Sequence, residues 1–269
     1  MGNDEKVSFR ILFITQDDPF YVRLFFEEFF RIYTNLAEIQ GVVVTRAMNK
    51  RSSLELARQM VGFYGPWGFL RAGLKYTAYK VLSAAGDILR TKRSYGLGQL
   101  CKRHGVPVIH ESNVNAREFV DKVERMCLHL IISVASSVIF KAPLIQAPRC
   151  GCINIHHGRL PRYRGMMPTF WQMVHGERKV GICIHEMNTR IDDGRILLQR
   201  EVDIEPTDTL DSLLKRTKRM AAHFMAEAID MIKSGNIEYR ENAKKDASYF
   251  GYPTREDVKQ FKQLGKRII

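Results

Sequence analysis

The sequence predicts an α/β protein: a Rossmann-like, open and mostly parallel sheet with a helical insertion and a short C-terminal extension. Three observations predict it. Short apolar runs bounded by turn residues alternate with helical periodicity, the pattern of βαβ units. The first strand, helix and strand follow one another within about forty residues, a crossover that makes the strands parallel. An apolar content of 45% in 269 residues supplies a full core.

The elements follow in order. Ser8 to Gln16 is an apolar run closed by Asp17-Asp18-Pro19, a buried strand and its turn. Tyr21 to Leu36 has apolar residues at three- and four-residue intervals and predicts a helix, and Gly41 to Thr45 a second buried strand. No GxGxxG follows the first strand, so a dinucleotide site is not expected. From Leu54 to Ile88 runs an insertion in which Tyr64-Gly65-Pro66-Trp67-Gly68 separates two helical patterns. The second, Phe69 to Leu82, sets Arg71, Lys75 and Lys80 among Leu70, Leu74, Tyr76 and Tyr79. A membrane-surface element or an acceptor-docking lid would have this composition. The expectation is a packed helical insertion, because amphipathic helices ordinarily cover a core.

The sheet then resumes. Gly98 to His104 reads as a helix, Pro107 to Ile109 as a strand, Ala116 to Glu124 as a helix and His129 to Val134 as a strand. Ser137 to Ile145 is expected to be a short helix and Gly151 to His156 the next strand, followed by a loop, a short helix and a β-hairpin. Asp208 or Thr209 caps a long helix reaching about Ile232, and the chain beyond Gly235 is polar with a short helix near Arg255 to Phe261. The expected division is 1–234, with the insertion at about 50–94, and an extension at 235–269.

Charge and composition narrow the class. The net charge is +13, and residues 46–93 carry ten Lys/Arg against Glu55 and Asp87, a local excess of +8. Such a segment attracts phosphorylated substrates, nucleic acid or an acidic membrane, or is simply a solvated basic face. There is no run of 18 apolar residues to span a membrane, no apolar leader at the start, and Lys6 stands where myristoylation wants Ser or Thr. The cytoplasm is the expected location. Five scattered cysteines predict reduced, mostly buried thiols, and no ligand spacing predicts a metal.

Three polar residues stand out. Asn154 and His156 lie two apart on an apolar strand, so they share a face, and Asp192 sits at the hairpin turn Ile-Asp-Asp-Gly. In amine attack on a carbonyl, an amide donor and an imidazolium would stabilise the oxyanion. A neighbouring carboxylate would orient His156 and raise its pKa. No elbow serine or activated cysteine offers a covalent nucleophile, so direct transfer is the better reading. Each residue also has an ordinary role, as a strand-end hydrogen-bonder or a turn aspartate. Spacing alone leads as far as an α/β enzyme of polar transfer chemistry.

The motifs Asn154-Ile-His156, Leu160-Pro-Arg-Tyr-Arg-Gly165 and Ile191-Asp192-x-Gly194-x-Ile-Leu-x-Gln199 resemble the folate-dependent formyltransferase family. The resemblance implies a catalytic triad of Asn154, His156 and Asp192. It also implies 10-formyltetrahydrofolate as formyl donor, its pterin lying beside Ser137, Val138, Ile139 and Phe140 and beside Thr189, Arg190 and Ile191. Gln16, Arg164 and His185, the last matching a histidine of some members, are the expected substrate-binding residues. Glycinamide ribonucleotide enzymes are similar to one another in a Gly-Ser-Asn loop after the first strand, where this chain has Thr15-Gln16-Asp17-Asp18-Pro19. Methionyl-tRNA enzymes add a C-terminal barrel, for which the 35 residues after the long helix are too few. The expected acceptor is therefore an anionic small-molecule amine, above all a nucleotide-linked amino sugar. Met-tRNA, another amine, a formyl-folate hydrolase and a non-catalytic folate-binding module remain as alternatives, and a homodimer is an open expectation.

Overall fold

The structure, a computed structural model, describes residues 9–45, 53–89 and 94–269. The Met1-Gly2 start, Ser8 and the basic ends of the insertion, Arg46 to Arg51 and Arg90 to Arg93, lie outside the described residues.

The first strand, β1 (Ile11–Gln16), sends alternate side chains to opposite faces. Ile11 and Phe13 enter one core cluster, Leu12 and Ile14 the other, so both faces of the sheet are covered. Helix α1 (Val22–Ile32) buries Phe25, Phe26 and Phe29 around Phe13, with ring centroids 5.2–6.5 Å apart. It stops before the expected Leu36: Tyr33 is extended, and a 3-10 turn at Leu36–Glu38 leads into β2 (Ile39–Thr45), two residues earlier than expected.

Helix α2 (Ser53–Leu89) is broken where the sequence breaks it. Gly65 takes φ 75°, ψ 168°, a left-handed-side conformation open to glycine, and Pro66 behind it has no N–H to continue the ladder. Then come α3 (Leu97–Arg103), β3 (Val108–Glu111), α4 (Arg117–Arg125), β4 (Leu130–Val134) and α5 (Ala142–Gln146). The helix expected from Ser137 begins only at Ala142, because Pro143 is tolerated in a first turn and not further in.

The remaining elements are β5 (Cys152–His156), β6 (Arg164–Gly165), α6 (Pro168–Val174), β7 (Lys179–Glu186), β8 (Ile196–Asp203), α7 (Leu210–Ser234), β9 (Tyr249–Phe250) and α8 (Arg255–Gln263). The sheet order is β3-β2-β1-β4-β5-β7-β8. Its first five strands are parallel, and the β7–β8 hairpin is added antiparallel beside β5. A capping box of Thr209 and Ser212 starts α7, as the sequence indicates.

The C-terminal stretch is not peripheral. Phe261, Val258 and Ile268 are buried in the main core, Phe261 stacks on Phe170 at 4.8 Å, and β9 pairs with β6. The insertion departs from expectation in the other direction. Its first segment packs through Phe63, whereas Trp67, Leu70, Leu74 and Val81 of the second are exposed. That second segment is held on its inner side by Phe20, whose ring contacts Tyr76 and Tyr79.

Candidate functional site

Strand register assembles the site. Asn154 of β5 stands directly opposite His185 of β7, with Ser133 of β4 on its other side. His185 Nδ1 lies 2.7 Å from the Glu186 carbonyl, which can only accept, so Nδ1 carries the proton. Its Nε2 therefore accepts from Asn154 Nδ2 at 3.2 Å, which fixes the amide and leaves the second Asn154 N–H available. The same Nε2 is 3.4 Å from Asp192 Oδ1. His185 thus belongs with the three predicted residues and positions Asn154; it is not an outlying acceptor contact.

His156 is buried, its Nε2 donating to the Tyr163 carbonyl at 2.7 Å and its Nδ1 facing Asp192 Oδ2 at 3.5 Å. Here one expectation is corrected. Burial lowers the pKa of His156, His185 and Lys218 adding to the effect, and the Asp192 charge that was expected to raise it does not prevail. The resting imidazole is neutral with an unprotonated Nδ1 beside the carboxylate. For Asp192, burial alone would raise the pKa, but His156, His185 and the Gly165 N–H outweigh it and hold the group ionised, well below the usual carboxylate range. His157 is buried with both ring nitrogens unpartnered and its pKa is pushed well down by burial.

Asp192 is fixed from three sides. Its backbone is left-handed, φ 48°. The Gly165 N–H donates to its carboxylate at 2.9 Å, and Asn242 Nδ2 donates to its carbonyl at 2.9 Å and to that of Gly194 at 3.0 Å. Two motif glycines are explained by close approach: a Cβ at Gly165 would lie 2.3 Å from the Phe250 carbonyl oxygen, and one at Gly194 1.9 Å from that of Glu186. Asn242 is the candidate positioning residue that the sequence did not mark. It is one of two asparagines, with Asn236, in a polar stretch, and no spacing marks it.

Other expectations divide. Arg164 is buried and two of its three guanidinium nitrogens are engaged: one arm meets Asp193 at 2.5 Å, the other the Asn242 carbonyl and side-chain oxygens at 3.2 and 2.9 Å, while Nε is buried without a hydrogen-bond partner. Those bonds make it a brace for the Asp192 loop. Asp193, whose side chain also pairs with Arg190, is its anchor. Gln16 ends β1, separated from β5 by β4, and is not brought to the triad. In the loop after β4, Val138 and Phe140 are buried in the second core cluster, so only Ser137 and Ile139 are exposed. In the loop after β7, Thr189, Arg190 and Ile191 are exposed. The loop after β4 leaves beside the C-terminal end of β5, whereas the loop after β7 leaves beside its start, where the Met187 N–H bonds the Cys152 carbonyl, and folds back so that Asp192 faces His156. The thiol of Cys152 is buried against the Leu144 and Ile145 carbonyls, with its pKa pushed up by burial, and is no nucleophile. Among the described residues no His/Cys/Asp/Glu group could hold a metal.

At the same end of the sheet a cavity of about 300 Å³ opens where β1, β2 and β3 finish. Asp17, His110, Lys102, Tyr79 and Tyr95 are among its lining residues. No helix of the described residues is long and apolar enough to cross a membrane.

The family profile described as "Formyl transferase" matches residues 74–229. A methionyl-tRNA formyltransferase of Thermotoga neapolitana is 28% identical over 207 residues, 74% of this chain and 66% of that protein. One from Geobacter metallireducens is 35% identical over 138 residues, 51% and 44% of the two chains. The chain spans about half to two thirds of the length of such relatives. Among solved structures, glycinamide ribonucleotide transformylase 1 from Symbiobacterium toebii superposes with TM-score 0.59 at 15% identity, over 90% of this chain and 99% of that one. A sugar N-formyltransferase from a Shewanella species gives 0.55 at 21%, over 90% and 76%. These likenesses establish the α/β fold.

Proposed function

Because the chain belongs to the formyl transferase family, we propose that it moves a formyl group from 10-formyltetrahydrofolate to a primary amine by direct attack. The observation that carries this reading is the Asn154–His185–Asp192–His156 constellation on one strand end. The donor supplies an electrophilic carbonyl, and the residues suit it. Asn154 keeps one amide N–H free, and the loops on either side present Ile139 and Ile191 as exposed apolar surface for a flat ring.

The chain's own groups then do three things. As the amine nitrogen bonds to the formyl carbon, the Asn154 N–H donates to the oxygen that gains negative charge. His156 Nδ1, neutral at rest, takes the proton that the amine sheds, and the imidazolium so formed is stabilised by Asp192. His156 then returns that proton to the nitrogen that departs from the carbon. Base and then acid, the imidazole ends as it began.

The favoured acceptor is an anionic, ring-bearing amine, a nucleotide-linked amino sugar. The cavity at the ends of β1 to β3 supports this, offering Lys102 and His110 for phosphate and Tyr79 and Tyr95 for rings. Met-tRNA is the second reading, favoured by the names of the relatives. Release of tetrahydrofolate is measured with purified protein against nucleotide-linked amino sugars, charged Met-tRNA and free amino acids. Asn154→Ala is expected to lower kcat by about 10²–10³ while tetrahydrofolate binding, measured by calorimetry, stays intact. Turnover of the variant at the wild-type rate would remove the assignment. Turnover with Met-tRNA alone would decide for the second acceptor.

A further inference from the structure

The second segment of α2 shows a face that the transfer chemistry does not use. Trp67, Leu70, Leu74, Val81 and Leu82 all fall on its outer side at helical spacing. Trp67 is 83% exposed, Leu74 65% and Val81 60%. The orientation is fixed by the opposite side, where Tyr76 and Tyr79 pack on Phe20, Tyr79 lies 6.4 Å from Tyr95 and Lys80 pairs with Asp17. The apolar ridge is therefore turned outward by the packing of its own helix.

Charge and area decide what it fits. Arg71 is exposed beside the ridge, Lys75 is exposed with its ammonium 5.4 Å from the centroid of the Phe20 ring, and the sequence from Pro66 to Leu82 contains no acidic residue. A second copy of this face would set cation against cation. The ridge is roughly 22 Å long by one helix width of ~10 Å, a strip of about 200 Å². A stable protein interface needs roughly 800 Å² on each side. An anionic bilayer needs neither a matching partner surface nor such an area: aliphatic and tryptophan side chains enter the headgroup boundary while Arg and Lys meet lipid phosphate.

We propose that the outer face of this segment, Trp67 to Leu82, docks the protein on an anionic phospholipid surface. The helix lies in the interface and does not span it, consistent with the absence of any helix among the described residues long and apolar enough to cross. Tyr79, Lys80 and Ser83 of the same turns line the 300 Å³ cavity on the side of the helix turned away from the ridge, so docking leaves that cavity behind the helix.

The test is flotation of the full chain with phosphatidylcholine vesicles and with vesicles containing about 30% phosphatidylglycerol. The expected result is binding to the anionic vesicles only, weakened by salt. Leu70→Asp with Leu74→Asp, and separately Arg71→Glu, are expected to weaken it tenfold or more, thermal midpoint and tetrahydrofolate binding unchanged. Failure of the wild type to float, or equal binding by both variants, would overturn the proposal. So would a concentration-dependent dimer in sedimentation velocity that the leucine variants dissolve, because it would give the face to a second copy. Tetrahydrofolate binding is read separately, so failure of this proposal is distinguishable from failure of the formyl-transfer reading.

Discussion

Two regions of this molecule exchange the roles their compositions suggest. The stretch after Gly235 is polar, and yet it sends Val258, Phe261 and Ile268 into the main core and Asn242 to the Asp192 loop. The second segment of α2 is rich in leucine and aromatic residues, and yet it turns Trp67, Leu70, Leu74 and Val81 to solvent. The difference is a matter of what each region is packed against. Phe261 has Phe170 and Val258 nearby in the same core, while the outer ridge of α2 has no element over it among the described residues. Hydrophobic periodicity reports that a helix has an apolar face; it does not report which way the face is turned.

The comparison is broken most directly at Phe261. If the C-terminal stretch is part of the core, Phe261→Ala should cost about 3–5 kcal/mol, read as a shift of the denaturation midpoint at constant m-value. Leu74→Ala, on the ridge, should stay within about 0.5 kcal/mol. Equal effects at the two sites would mean that the contrast in packing is wrong.

Asn242 sharpens the functional half of the contrast. Asn242→Ala removes two donated hydrogen bonds from the Asp192 and Gly194 carbonyls and one acceptor from Arg164. The expected loss is roughly 1–3 kcal/mol of stability, the usual cost of leaving buried polar groups unpaired. Because Asp192 is held in a left-handed conformation through those bonds, kcat should fall as well, with KM for the acceptor little changed. A variant that loses stability and keeps full kcat would make Asn242 a structural residue only.

Much of this was legible in the sequence, for reasons that differ by element. The parallel sheet and the β7–β8 hairpin are local patterns, alternation and turn chemistry, and they fold where the sequence places them. Asn154, His156 and Asp192 were legible because two share a strand face and the third ends a hairpin. The partnership of His185 with Asn154 required the β5–β7 register, which no local pattern encodes. The commitment of Arg164 to Asp193 and Asn242 depends on residues 29 and 78 positions away. The protonation of His156 was read with the wrong sign because only its carboxylate neighbour is visible in sequence, whereas its burial is a property of the fold.

That sign yields the smallest of the expected effects and the one that tests the site most finely. His156 in the folded protein titrates below its unfolded value of 6.5, and Asp192 below 3.8. Both folded groups bind fewer protons than the unfolded chain, so stability rises with pH across each window. It is fully present above about 6.5, begins to fall as the unfolded imidazole takes up its proton, and falls again below about 3.8 as the unfolded carboxylates do. Each group contributes a slope of no more than about 1.4 kcal/mol per pH unit. Denaturation of the wild type and of His156→Gln, followed from pH 7 to about 5, should therefore diverge: the variant curve is flatter in that interval, and its acid limb is shallower as well, because His156 is one of the groups that hold Asp192 down. If His156 were instead an imidazolium at rest, held by Asp192, its removal would have the opposite consequence. The wild type would then gain stability as pH fell through the upper window, and the proton taken from the amine would have to find another base.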